Sequence, residues 1–228
     1  MARHDAVHVV NLFLAGAHVV TAALDDPAVA AAWDRPSVLE GQAVSGLAGH
    51  LARGGVLAVG EYLVAGEPAG DVDFGSAGEY FVAAVASMSE EDHVAIRARG
   101  AAVAAVGREQ LIATLTERLG ALERRLRSEA IPQRISVIGG WVLPFDEYLV
   151  TRIVEQTVHL DDLARSVGRA PWPLPEGTEE LTIAVGEEIW RRRFGATAVI
   201  RALYRDGFAE VLPVLSTPSR AARSVAPE

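Results

Sequence analysis

The sequence predicts a mainly α fold: an antiparallel four-helix bundle with a small C-terminal α/β appendage. Three observations carry that expectation. Apolar residues recur at helical spacing through four long stretches before residue 169. Runs rich in Gly, Pro and Asp separate these stretches, as connections between helices do. The stiff run Ala170-Pro-Trp-Pro-Leu-Pro175 then divides residues 1–169 from a smaller unit, 170–216, and a tail, 217–228, expected to be disordered.

The elements follow in order. Residues 5–25 place Val9, Leu12, Phe13, Ala17, Val20 and Leu24 near one helical face, and Pro27 marks the end. Residues 30–41, with Trp33, Asp34, Pro36 and Gly41, read as a connection. Residues 42–65 form a second helix through Val44, Leu47, Leu51, Val56, Val59 and Leu63, weakened by Gly54-Gly55. The run from Gly66 to Gly75 is a loop. Ser76-Ala-Gly-Glu79 has capping-box spacing and opens a third helical segment. Ser89-Glu-Glu-Asp92 starts another that runs to about Ser128, as one bent helix or two. Ile131 to Leu143 contains Pro132, β-branched residues and Gly139-Gly140, which suit an extended connection. Pro144 fits the first turn of a helix that runs to Val167 and is capped by Gly168. Beyond the linker, 178–194 and 196–205 read as helices and Phe208 to Leu215 as a short strand.

Composition narrows the function. The chain has 228 residues, half of them hydrophobic, and a net charge of −9. An acidic chain lacks the basic surface that nucleic acids and anionic membranes require, so neither is an expected partner. Cysteine is absent. This excludes disulfides, thiolate–zinc sites and a cysteine nucleophile, so any sulfur chemistry needs a small-molecule thiol. The apolar start, Val9 to Leu14, is interrupted by Asn11 and His18, and neither a signal peptide nor a membrane span is expected; the expected location is cytoplasmic.

The most informative stretch is Arg152-Ile-Val-Glu-Gln-Thr-Val-His-Leu-Asp-Asp162. Glu155 and His159 are four residues apart in a helical pattern, so they leave one face and can close on one metal ion. Asp162, three residues on, can accept the second ring proton of His159. Tyr148, Arg152, Glu155, His159, Asp162 and Ser166 form a narrow polar stripe beside an apolar face of Leu149, Ile153, Leu160, Leu163 and Val167. A third ligand must come from another helix, and His50 is the candidate. Two bland alternatives stand beside this reading: an exposed ion pair at 155/159, and a His50 hydrogen-bonded inside a helix interface. His4, His8, His18 and His93 are read as structural or exposed. Arg118 to Arg127, interleaved with Glu117 and Glu123, reads as a solvated face.

Three segments carry a resemblance: Pro36-Ser-Val-Leu-Glu-Gly41, Leu47-Ala-Gly-His-Leu-Ala52, and Tyr148 through Ala164 with its Arg152, Glu155, His159 and Asp162. Together they resemble the mycothiol-dependent maleylpyruvate isomerase family of DinB-like helical bundles, over roughly residues 5–168. The chain departs from that pattern at Gly41-Gln42-Ala43, where the family commonly has Gly-Trp-Thr. The resemblance implies a divalent metal, normally zinc, held by His50, Glu155 and His159, with Asp162 behind His159 and mycothiol as cosubstrate.

Three protein ligands leave a coordination position open, as in catalytic zinc sites. A thiol activated there could be transferred to an electrophilic substrate, or could add to a double bond, allow rotation and leave. Tyr148, Arg152 and the cluster Arg191 to Arg193 are candidate contacts for the cosubstrate or a carboxylate-bearing substrate. Two further readings use the same residues: a hydrolase that activates water, and a non-enzymatic ligand-binding bundle.

Overall fold

In the computed structural model, residues 5–205 are described. Among these residues the chain is mostly helical, with one small two-stranded sheet. Asp5 caps α1 (Ala6–Asp25), its carboxylate accepting from the Val7 amide at 3.0 Å. Pro27 does more than end α1. It is the first residue of a short helix, α2 (Pro27–Ala32), because Asp26 accepts from the Ala28 amide and a first-turn proline has no amide to leave unpaired.

The predicted helix 42–65 is divided. It begins as α3 (Val44–Ala52), passes through a π-helical turn, Arg53–Leu57, and finishes as α4 (Ala58–Leu63). The wide turn falls on Gly54-Gly55, where backbone freedom is greatest. Ser76 caps α5 (Ala77–Ser87), and Ser89 with Asp92 forms a full capping box at α6 (Glu90–Ala104). The run to residue 128 is two helices, since Gly107, at φ +90°, separates α6 from α7 (Arg108–Ser128).

The extended connection is a small antiparallel hairpin. Strand β1 (Arg134–Ser136) pairs with β2 (Val142–Pro144), with Ile135 opposite Leu143 and one tight 3-10 turn between them. Pro144 closes β2 and precedes the first turn of α8 (Phe145–Val167) by one residue, because its ring is used in the strand. Gly168 ends α8 in the left-handed conformation, as expected. After the linker come α9 (Thr178–Phe194) and α10 (Ala196–Tyr204). The expected strand at Phe208 to Leu215 and the expected disordered tail lie outside the described residues, as does His4.

Helix α1 packs against α7 and α8, α3 against α6 and α8, and α9 against α5 and α8. One core runs between them, with Phe13, Leu14, Leu47, Leu51, Leu115, Leu119, Leu149 and Ile153 buried. Burying each such side chain is worth about 1.5–3 kcal/mol, and α8 touches most of the other described elements. Among the described residues α1 alone is long and apolar enough to cross a membrane, with a mean hydropathy of 1.7 over its most apolar window; 56% of that window is buried against the core.

Candidate metal centre and its cavity

The polar stripe of α8 does not face bulk water. Tyr148 is buried, and Arg152, Glu155, His159, Asp162 and Ser166 are all partly covered. Ser166 closes the stripe at its far end, its hydroxyl accepting from the Val38 amide at 3.0 Å and donating to the Asp162 carbonyl at 2.6 Å. At its centre, α3 brings in His50. His50 Nε2 lies 3.2 Å from His159 Nε2 and 3.5 Å from Glu155 Oε2, and His159 Nε2 lies 3.4 Å from the same oxygen. The two rings meet edge to face at 4.8 Å.

This triangle has the dimensions of a tetrahedral face. Ligand atoms at ~2.1 Å from a zinc ion are ~3.4 Å from one another. The donor set also fits: two imidazole nitrogens and a carboxylate, each offering one atom within 4.8 Å of the others. His159 Nδ1 is 3.0 Å from Asp162 Oδ2. That contact keeps a proton on Nδ1 and leaves Nε2 to face His50 and Glu155. The structure thus brings His50, Glu155, His159 and Asp162 together.

Electrostatics follow the geometry. Burial pushes the Glu155 carboxyl up, but His159, His50 and the charge of Arg152 outweigh it and hold the group well below the usual carboxylate range. Burial disfavours a charged His159, yet Asp162 and Glu155 raise its pKa to about 9. In the metal-free protein the proton on His159 therefore takes the part of a cation between two carboxylates.

The π-helical turn next to His50 has a local purpose. It frees two carbonyls for α8: Arg152 Nη1 donates to Gly54 O at 2.9 Å, and Gln156 Nε2 donates to Gly55 O at 2.9 Å. These bonds tie the two helices that carry the triad together one turn from it. On its other side α3 meets α6 with backbone against backbone. A Cβ on Gly49 would overlap the Gly100 carbonyl oxygen, and one on Gly100 would come within 2.8 Å of Gly46 O and 3.0 Å of His50 Cβ. Only glycine permits this approach.

His50 and Glu155 line a cavity of about 490 Å³. Tyr148 and Arg152 are in its wall, with the guanidinium 5.0 Å from the Tyr148 ring centre. The Tyr148 hydroxyl is sealed and has no hydrogen-bond partner among the described residues, and burial pushes its pKa up, so it stays protonated. Other wall residues carried no functional signal in the sequence: Tyr62, Tyr80, Phe81 and the hairpin residue Trp141. The arginine cluster is placed elsewhere. Arg192 pairs with Glu79 and Glu188, beside a cleft that shares no residue with this cavity. His18 pairs with Glu123 at the surface, and His8 is exposed.

The family model described as mycothiol maleylpyruvate isomerase N-terminal domain matches residues 13–164. No curated protein and no solved structure gives a significant match to the chain.

Proposed function

The chain belongs to the mycothiol maleylpyruvate isomerase N-terminal domain family, and from that premise we propose that it is a metal-dependent enzyme with mycothiol as thiol cosubstrate. In this reading it either transfers the thiol to an electrophile or uses it to isomerise a cis double bond. His50, Glu155 and His159 hold zinc or another divalent ion, and Asp162 orients His159. Residues 1–169 are taken as the DinB-like four-helix bundle that carries the site, with 170–216 as a smaller unit. The observation that supports this most directly is the triangle of side-chain atoms at 3.2, 3.4 and 3.5 Å, two of whose residues, His50 and Glu155, line a cavity.

A bound divalent ion would supply the acidity that holds a thiol as thiolate near neutral pH. The chain's own residues do the rest. Asp162 keeps the Nδ1 proton of His159, so the Nε2 lone pair points to the centre. Glu155 contributes one fixed negative charge. Arg152, held by the Gly54 carbonyl, and Tyr148 border the place where the thiol would lie. The aromatic and aliphatic part of the wall lowers the polarity around these groups, which strengthens their interactions. Cysteine is absent from the chain, so the sulfur nucleophile must be brought in by a small molecule.

The test has two parts. Protein purified without added metal should contain about one equivalent of a divalent ion per chain, and His159→Ala should lose it. Mass spectrometry should then detect thiol adducts when mycothiol and an electrophile are supplied, with none after chelation. Turnover that proceeds without thiol would favour water activation, and equal, near-zero metal in both proteins would remove the reading altogether.

A further inference from the structure

The shape of the triad depends on a soft stretch of chain. His50 stands one turn before Gly54-Gly55, in the wide turn that joins α3 to α4. Two adjacent glycines and π-type hydrogen bonding give this turn more freedom than the regular helix on either side. The His50 carbonyl is bonded to the amide of Arg53, the first residue of the turn, so a shift of the turn is passed to His50. A metal site tolerates displacements of only roughly 0.5 Å. The turn therefore has to be held against α8, which carries Glu155 and His159.

Gln156 is the side chain that does this. It follows Glu155 on α8, but it is 1% exposed and lies between α1 and the turn. Its Nε2 donates to Gly55 O at 2.9 Å and to Phe13 O at 3.4 Å. Both partners are acceptors, so the amide nitrogen must face them. The Oε1 is left against Gly16 of α1, buried and with no hydrogen-bond partner among the described residues. A Cβ on Gly16 would overlap that oxygen, so only glycine leaves room for the amide there.

A buried acceptor without a partner costs stability. Methionine has nearly the same length and shape and would fill this space without that cost. Packing alone gives no reason for a glutamine. What its amide adds is a fixed link from α8 to the turn behind His50.

We propose that Gln156 is a positioning residue of the centre: by holding Gly55 O, it sets where His50 stands relative to Glu155 and His159. That this geometry serves a metal rests on the metal-dependent reading above, while the geometric role stands on the amide's own contacts.

Two variants of the full-length protein test it. Gln156→Met removes the amide. Gly16→Ala touches neither the triad nor the turn, but displaces the amide from the α1 side. The first readout needs no metal. The His50 and His159 rings are 4.8 Å apart, so metal-free wild type should show a nuclear Overhauser effect between their ring protons, and each variant should lose it. The second readout is zinc affinity by competition titration. Each variant should weaken it about tenfold, as loss of an orienting contact does. The double variant should be no weaker than Gln156→Met alone, because methionine yields to the new methyl and no amide remains to be displaced.

Denaturant unfolding establishes that each variant folds; if Gln156→Met does not, Gly16→Ala carries both single-variant readouts. Lowered stability with the ring contact and the zinc affinity of wild type would overturn the proposal, since Gln156 would then only fasten helices. Additive losses in the double variant would overturn it as well. The two readings fail separately. A ring contact present in wild type and lost in the variants, with no zinc bound by any of them, upholds the positioning role and removes the metal reading. Tight zinc binding that neither variant alters does the opposite.

Discussion

Two regions of this molecule bury carboxylates, and they resolve the cost in different ways. At the junction of α5, α8 and α9, Glu188 accepts from Ser76 Oγ at 2.7 Å and from Arg192 Nε at 2.8 Å, and Glu147 accepts from the Ala77 amide at 2.9 Å. Every one of those contacts matches a donor with an acceptor. Around Glu155 the arrangement is different. Two imidazole nitrogens and a carboxylate oxygen converge, and all three are acceptors unless a proton or a metal sits among them. The junction is complete as folded and fastens helices. The triad is complete only with a cation. The first pattern is what structure requires of a buried charge, and the second is what the proposed metal site would require.

The largest expected effect tests that contrast directly. His50→Ala or His159→Ala should lower divalent-metal affinity by more than about 100-fold, since each removes a ligand outright; competition titration against a chromophoric chelator measures it. Asp162→Ala should cost less, about 10- to 100-fold, because the ligand remains but its tautomer and orientation are no longer fixed. At the junction, Glu188→Ala should lower global stability by about 1–3 kcal/mol, the cost of leaving Ser76 and Arg192 short of a partner, and denaturant unfolding measures that. Its metal affinity should stay at the wild-type value. An equal loss of metal binding in Glu188→Ala and Asp162→Ala would erase the distinction between the two regions.

The smallest effect is in pH. The folded pKa of His159, about 9, lies above its ordinary 6.5. The stability that its proton contributes is therefore fully present below about pH 6.5 and is lost as pH rises through the folded value. Metal-free protein should show a falling Tm between neutral pH and the region of pH 9.5, roughly half a unit above the folded pKa. Over the same range metal should bind more tightly, because the competing proton leaves. His159→Ala should flatten the Tm profile; an unchanged slope in that variant would locate the titration elsewhere.

The parts of the site that could be read from sequence are those with a local geometric rule. Glu155, His159 and Asp162 are legible because helix geometry alone places positions four and three apart on one face. His50 was legible as a candidate only, since nothing in its neighbours says which helix it meets. The polar stripe was legible as a stripe, but whether it faced water or a cavity depended on α3 and on Val38, more than a hundred residues away in sequence. The π-helical turn had a weak signal in Gly54-Gly55, which reads as a loss of helix propensity rather than a wider turn. Trp141, Tyr80 and Tyr62 had no signal, because a cavity wall is assembled by long-range packing and has no period along the chain. The paired strands around Ile135 and Leu143 were read as extended, and their pairing is a tertiary fact.

Where α3 crosses α6, the contact is peptide against peptide at Gly49 and Gly100. Side chains can adopt another rotamer when a neighbour changes, but peptide planes in two regular helices cannot. The gauge of the opening above His50 is therefore a fixed dimension of the scaffold. Substitutions in the aromatic wall can alter what enters, while the imidazole below keeps its station.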